Sequence, residues 1–324
     1  MLGGTGICAI NISQTTLFQH DPFFTYSLQT PTVPIMAAIS ENTAANKKHW
    51  DEKAATYESD PKWEKPIAQL IAAVKGGRDF IGADWVKDGE SDRTVKMIDY
   101  ACGPGTISRA LYPYVTQSRG IDLSPNMVAQ YKARARAEGL TPQQMDAFEG
   151  NILDDDGAAL SDPSLRDADL ACVSMAMHHM DDPAKVASRL VERLRPGGVL
   201  FVVDMLTHEI PGISGAKHNH HHHGGHGHGH GHDHGHGHGH GHGDHGDGHA
   251  KHQTGNGVEE DWEVLPTITH SGFSPEEVKD MFEKAGAGAD FAFEVVDSVE
   301  MPSPFKPKPI VFFARGTKKA AASL

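Results

Sequence analysis

Met97-Ile98-Asp99-Tyr100-Ala101-Cys102-Gly103-Pro104-Gly105-Thr106 decides how this chain is read. The mostly apolar run Val95 to Tyr100 predicts a short buried strand. Gly103-Pro104-Gly105 forces a tight turn, and Thr106-Ile107-Ser108-Arg109-Ala110-Leu111 predicts the start of a helix. A strand, a glycine turn and a helix N-terminus in succession let backbone approach a ligand closely, because Gly103 and Gly105 carry no Cβ. What the turn lacks narrows the ligand. The dinucleotide pattern G-x-G-x-x-G needs a third glycine at position 108, and Ser108 stands there instead.

Strands and helices alternate after the turn. Tyr114-Val115 and Arg119 to Asp122 suggest a second strand, and Ser124-Pro125 caps and opens a helix reaching about Glu138. Ala147 to Asn151 predicts a third strand and Asp169 to Met177 a fourth. Asp182-Pro183 opens the next helix, with Val186, Leu190 and Leu194 as its apolar face and Pro196-Gly197-Gly198 as its stop. Val199 to Asp204 predicts a fifth strand, apolar enough to be buried on both faces. Such alternation predicts a parallel sheet covered by helices on both sides. Ser274-Pro275-Glu276-Glu277 is a capping box for a further helix, and two last strands, about Phe291–Val299 and Pro309–Arg315, predict an antiparallel hairpin. Before the turn, apolar spacing predicts one helix from Glu41 through Tyr57 and another over Lys62–Lys75.

Two segments stand outside this pattern. Residues 1–40 show no periodicity and no Lys or Arg, which predicts a disordered extension without the signature of a targeting peptide and leaves Met36 as an alternative start. His218 to His252 is mainly His-Gly repeats and holds all but six of the 23 histidines. It offers too little apolar surface to offset its ordering entropy, so 209–260 is predicted to be a disordered insert interrupting a domain over 41–324. Its neutral imidazoles, among them His220, His221, His222, His223, His226, His228 and His230, suit adventitious zinc, nickel or copper.

The formal net charge of −14 and the lack of a basic cluster argue against nucleic acid as a partner. Cys8, Cys102 and Cys172 form no zinc or redox spacing and point to a reducing, cytoplasmic location. No apolar run approaches the roughly eighteen residues of a membrane span.

Asp99-x-Ala101-x-Gly103-x-Gly105 resembles motif I of the class I S-adenosylmethionine (SAM) methyltransferases, with Ala101 in place of the first glycine. Gly120-Ile121-Asp122, Gly150-Asn151-Ile152, Leu194-Arg195-Pro196-Gly197-Gly198 and the HSGFSPEEV run are similar to later features of that family, in the right order. Within it the chain looks most like the small-molecule branch that includes the C-methyltransferases of ubiquinone and menaquinone biosynthesis. The resemblance implies an α/β, Rossmann-like, doubly wound and mostly parallel seven-stranded sheet ending in the antiparallel hairpin. It also implies SAM as cofactor and a small-molecule acceptor. Tyr57 would close over the methionine end, which Asp99, Ala101, Gly103 and Gly105 would line. Asp122 would hold the ribose, and Met127 and Asn151 would flank the adenine. His178 and His179, just after the fourth strand, are candidate general bases for the acceptor. A nicotinamide-dependent oxidoreductase and a metal-buffering protein are the competing readings. Neither the acceptor atom nor the oligomeric state follows from the sequence.

Overall fold

A computed structural model describes residues 40–87, 93–154, 158–207, 264–302 and 308–319. The expected N-terminal extension up to residue 39 and the whole of the expected His/Gly insert, with its seven candidate metal ligands, lie outside the described residues.

Seven strands form one sheet: β1 (Lys96–Tyr100), β2 (Gln117–Asp122), β3 (Met145–Glu149), β4 (Ala168–Ser174), β5 (Leu194–Met205), β6 (Ala289–Val296) and β7 (Val311–Thr317). Their order is β3-β2-β1-β4-β5-β7-β6. β1 to β5 run parallel, while β7 pairs antiparallel with both β5 and β6. The predicted doubly wound sheet and its C-terminal hairpin are therefore both present. Because the order reverses beside β1, the connections leaving β1 and β4 diverge and open a crevice at their carboxyl ends.

Helices cover both faces. On one side α6 (Pro183–Arg193) and α7 (Pro275–Ala285) pack Leu190, Val278 and Phe282 against Ala171, Leu200 and Phe312. On the other, α2 (Pro61–Gly76), α3 (Arg78–Ile81) and α4 (Thr106–Leu111) pack Val74, Ile81, Ile107 and Leu111 against Met97, Phe201 and Phe313. α5 (Pro125–Ala137) sets Tyr131 and Ala135 on Met145 and Ala147. α1 (Glu41–Lys53) lies nearer the crevice, where Asp51 Oδ1 accepts from Ser124 Oγ at 2.5 Å.

Local chemistry sets the helix starts. Ser124 Oγ accepts from Met127 N at 3.0 Å, Asp182 Oδ1 from Lys185 N at 2.9 Å, and Ser274 forms the predicted reciprocal box with Glu277.

Several boundaries differ from the sequence reading. α1 ends at Lys53, leaving Tyr57 in the following turn. Tyr112–Tyr114 is a short 3-10 turn and not part of β2. β3 begins at Met145 and stops before Asn151. β4 ends at Ser174, not Met177, because Met175 adopts φ 52° and turns the chain into a 3-10 turn at Met177–His179. Leu194, expected on the face of α6, opens β5 and pairs with Ala168; the register then shifts before Leu170 meets Val199.

Candidate active site

The carboxyl ends of β1, β2 and β4, the start of α4 and one face of α1 enclose a cavity of about 240 Å³. Of the residues expected to hold a cofactor, Tyr57, Asp99, Ala101, Gly103, Asp122, Met127 and Asn151 line it, and so do His178 and His179. Gly105 does not. A Cβ at Gly105 would meet Tyr131 at 3.0 Å and Met145 at 3.2 Å, and its φ is +91°. This glycine serves the turn and its packing on α5. Gly103 is the opposite case: φ is +50°, and a Cβ there would meet nothing within 4 Å. It leaves the open cradle.

The acids around the turn are held by backbone. Asp122 accepts from Gly103 N at 2.8 Å and Ser124 N at 2.9 Å, each through a different oxygen. Each oxygen keeps a lone pair for a further donor. Burial pushes its carboxyl up to about 6, against the pull of those two N–H groups. Asp99 Oδ2 accepts from Ser108 Oγ at 2.7 Å and Ser108 N at 3.2 Å, fastening β1 to α4. Burial raises its carboxyl to about 7.

That shift makes a prediction. Asp99 is 1% exposed. A folded-state value near 7 against roughly 3.9 unfolded means the ionised form costs the fold about 4 kcal/mol. The folded state binds the extra proton between about pH 4 and 7, so this contribution is fully favourable below the lower value and is lost as pH rises through the upper. Asp99→Asn should therefore gain stability over the parent with rising pH, by up to about 1.4 kcal/mol per pH unit in that window. Denaturant titrations without ligand at pH 5, 6 and 7 check it. Parallel profiles for the two proteins would show that Asp99 is not held this way.

One end of the Asn151 amide is already committed. Its Oδ1 already accepts from Tyr100 Oη at 3.1 Å and Leu153 N at 3.0 Å. A backbone N–H can only donate, so this fixes the amide orientation and leaves the amide nitrogen to donate into the cavity.

Much of the rest of the cavity lining is apolar and aromatic. Trp50 meets Tyr57 edge-on at 5.7 Å, and Tyr57 packs on Trp63 at 5.6 Å; Ile67, Leu70, Met175 and Met180 continue the wall. Tyr57 is partly buried, and that burial, with Glu58 next to it, pushes its phenol up to about 12, so it stays neutral. Glu58 ties the loop down through Arg109 at 2.6 Å and through Arg134.

The two histidines part company here. His179 Nδ1 lies 3.1 Å from the Thr267 carbonyl, and its ring meets Trp50 edge-on at 5.7 Å. Burial and the neighbouring His178 hold its pKa well below the usual range, so it is a neutral wall residue. His178 Nδ1 lies 2.7 Å from Asp204 Oδ1. Sequence reasoning missed Asp204; the only signal was a carboxylate at the end of an otherwise apolar strand. It also missed Asn46. From α1, that amide nitrogen donates to the carbonyls of His179 at 3.3 Å and Thr267 at 3.2 Å, while its buried oxygen has no partner. Among the described residues no group of three or more His, Cys, Asp or Glu is placed to hold a metal, and no helix is long and apolar enough to cross a membrane.

Part of the chain is similar to known proteins. Residues 98–200 match the family described as "Methyltransferase domain". An uncharacterized methyltransferase of Schizosaccharomyces pombe is 36% identical over 122 residues, 38% of this chain and 41% of the relative. A ubiquinone biosynthesis O-methyltransferase of Methylococcus capsulatus is 29% identical over 108 residues, 33% of this chain and 41% of the relative. The chain thus spans about two fifths of the length of the curated relatives it matches. A Haemonchus contortus phosphoethanolamine N-methyltransferase 2 structure aligns with 87% of this chain and 61% of its own, at 14% identity and a TM-score of 0.48. The family match over residues 98–200 begins within β1 and ends within β5.

Proposed function

We propose that the chain transfers a methyl group from SAM to a small, neutral acceptor. The observation that carries this is one cavity whose lining joins the glycine cradle, the Asp122 carboxylate and the Asn151 amide to an apolar and aromatic wall that includes Trp50, Trp63 and Met180.

The residues present fit SAM. Gly103 leaves space where any side chain would intrude, the free lone pairs of Asp122 suit ribose hydroxyls, and Asn151 offers a donor to the base. When bound, SAM supplies an electrophilic sulfonium methyl. The chain's own contribution is positioning: Tyr57, Trp50 and α1 exclude water, and the acceptor is held in line with the methyl–sulfur bond. Alignment of this kind supplies much of the acceleration in a displacement. His178 is the candidate base.

Calorimetry with SAM and with NAD tests the reading, and only SAM is expected to bind. Gly103→Val, strained at φ +50° and filling the cradle, is expected to lower SAM affinity about a hundredfold or more, some 2.7 kcal/mol. A parent protein that binds NAD and ignores SAM would overturn the proposal.

A further inference from the structure

We infer that the turn over residues 175–180 is a binding site for a soft monovalent cation of the Cu(I) type, held by His178 Nε2 and His179 Nε2 with a methionine thioether beside them. The site stands whether or not the chain transfers methyl groups.

The stretch runs Met175-Ala176-Met177-His178-His179-Met180. Met175, left-handed at φ 52°, folds it back into the 3-10 turn at Met177–His179. Met177 is turned into the core, while Met175, His178, His179 and Met180 all line the cavity. The two imidazole rings lie 4.2 Å apart, centre to centre. Each is anchored through Nδ1. His178 Nδ1 lies 2.7 Å from Asp204 Oδ1, and that fully buried carboxylate also accepts from Met205 N and Met177 N. His179 Nδ1 lies 3.1 Å from the Thr267 carbonyl and 3.0 Å from Thr267 Oγ1, whose own proton goes to the Val264 carbonyl. These oxygens accept, so both rings carry a proton on Nδ1 and keep the Nε2 lone pair for a ligand. Neither Nε2 has a partner among the described residues.

Histidines that bind metals usually donate their other ring N–H to a carboxylate or a backbone carbonyl, which fixes the ring and raises its basicity. His178 and His179 each have such a partner, one of each kind. The ligand set selects the ion. Among the described residues no three His, Cys, Asp or Glu gather to hold a metal, so the fuller coordination of zinc is not available. Neutral imidazoles and thioethers suit a soft d10 monovalent ion, which two or three such ligands satisfy. An ion at Nε2 of His178 takes the lone pair that the methyl-transfer reading gives to the acceptor, so under that reading ion and acceptor exclude each other.

The test is an NMR titration of the full chain, labelled at its methionine methyl groups, with silver(I), a diamagnetic and redox-stable ion of the same class. The stretch from His218 to His252 contains no methionine, so any silver it takes up adds no signal. The titration runs to an excess over all 23 histidines. The methyl signals of Met175 and Met180, identified by their loss in Met175→Leu and Met180→Leu, are expected to shift in the parent. Those of Met97 and Met145, buried in the core, are expected to stay and report that the fold is intact. With His178→Gln and His179→Gln combined, the shifts are expected to be lost while the core signals hold. Should that double variant fail to fold, His179→Gln alone decides. Parent signals that do not move, or shifts that persist in a folded variant, overturn the inference. A chain that responds to silver as expected yet ignores SAM counts against the methyl-transfer proposal and leaves this site standing.

Discussion

Gly316→Ala is expected to destabilise the protein by about 3 kcal/mol, a drop of roughly 6–12 °C in melting temperature for a chain of this size. Alanine is ordinarily a mild replacement, and the backbone of Gly316 is not in the left-handed region. The cost is steric. A Cβ at Gly316 would lie 2.1 Å from the Ala287 carbonyl oxygen and 2.8 Å from Phe282 Cδ1. The carbonyl cannot swing aside, because Ala287 N is tied to Phe282 O at 2.9 Å where α7 ends. Nor can β7 retreat, since Gly316 pairs with Leu200 of β5. Gly139→Ala is the control: nothing lies within 4 Å of its Cβ position, and only φ +76° opposes it, a cost of about 1 kcal/mol. Urea titration of both proteins checks the contrast. Equal midpoints would mean that β7 does not run this close to the end of α7.

Asp122→Ala is expected to lower SAM affinity about 10- to 150-fold. The lost charge-assisted hydrogen bonds are worth roughly 1.5–3 kcal/mol. Fold stability should move far less, because two effects oppose. The N–H groups of Gly103 and Ser124 lose their acceptor, at about 1–3 kcal/mol. Against that, a carboxylate whose pKa is pushed up to about 6 by burial no longer has to be held ionised at neutral pH, a relief of about 3 kcal/mol. Calorimetry with SAM and a ligand-free melt separate the two quantities. Unchanged affinity in a folded variant would remove Asp122 from the cofactor site.

The parts of this molecule that were legible in sequence are those set by neighbours along the chain. The glycine turn, the Ser124, Asp182 and Ser274 caps and the apolar runs of β4 and β5 each contain their own cause. The β6–β7 hairpin was legible too, but not that β7 would wedge between β5 and β6. What stayed hidden depends on contacts between distant residues. Asp204 stands 26 positions from His178, and Asn46 reaches His179 across 133. The end of β4 was misjudged because Met175, which carries the left-handed turn, is a residue type that gives no warning of it. The packing role of Gly105 was hidden for a related reason. A glycine kept for packing on Tyr131 looks, in one dimension, the same as one kept for a ligand.

The place of β7 also bears on how the protein is made. β5 is complete once Met205 is synthesised, yet its outer neighbour ends at Thr317. At ordinary translation rates the ribosome needs on the order of ten seconds to cover that interval. During it the nascent chain holds an apolar strand, Val199 to Val203, with one edge unpaired. β6 cannot close that edge, since β7 separates it from β5 in the finished sheet. Final closure must therefore await the emergence of β7 from the exit tunnel, and until then that edge stays open to pairing with another strand.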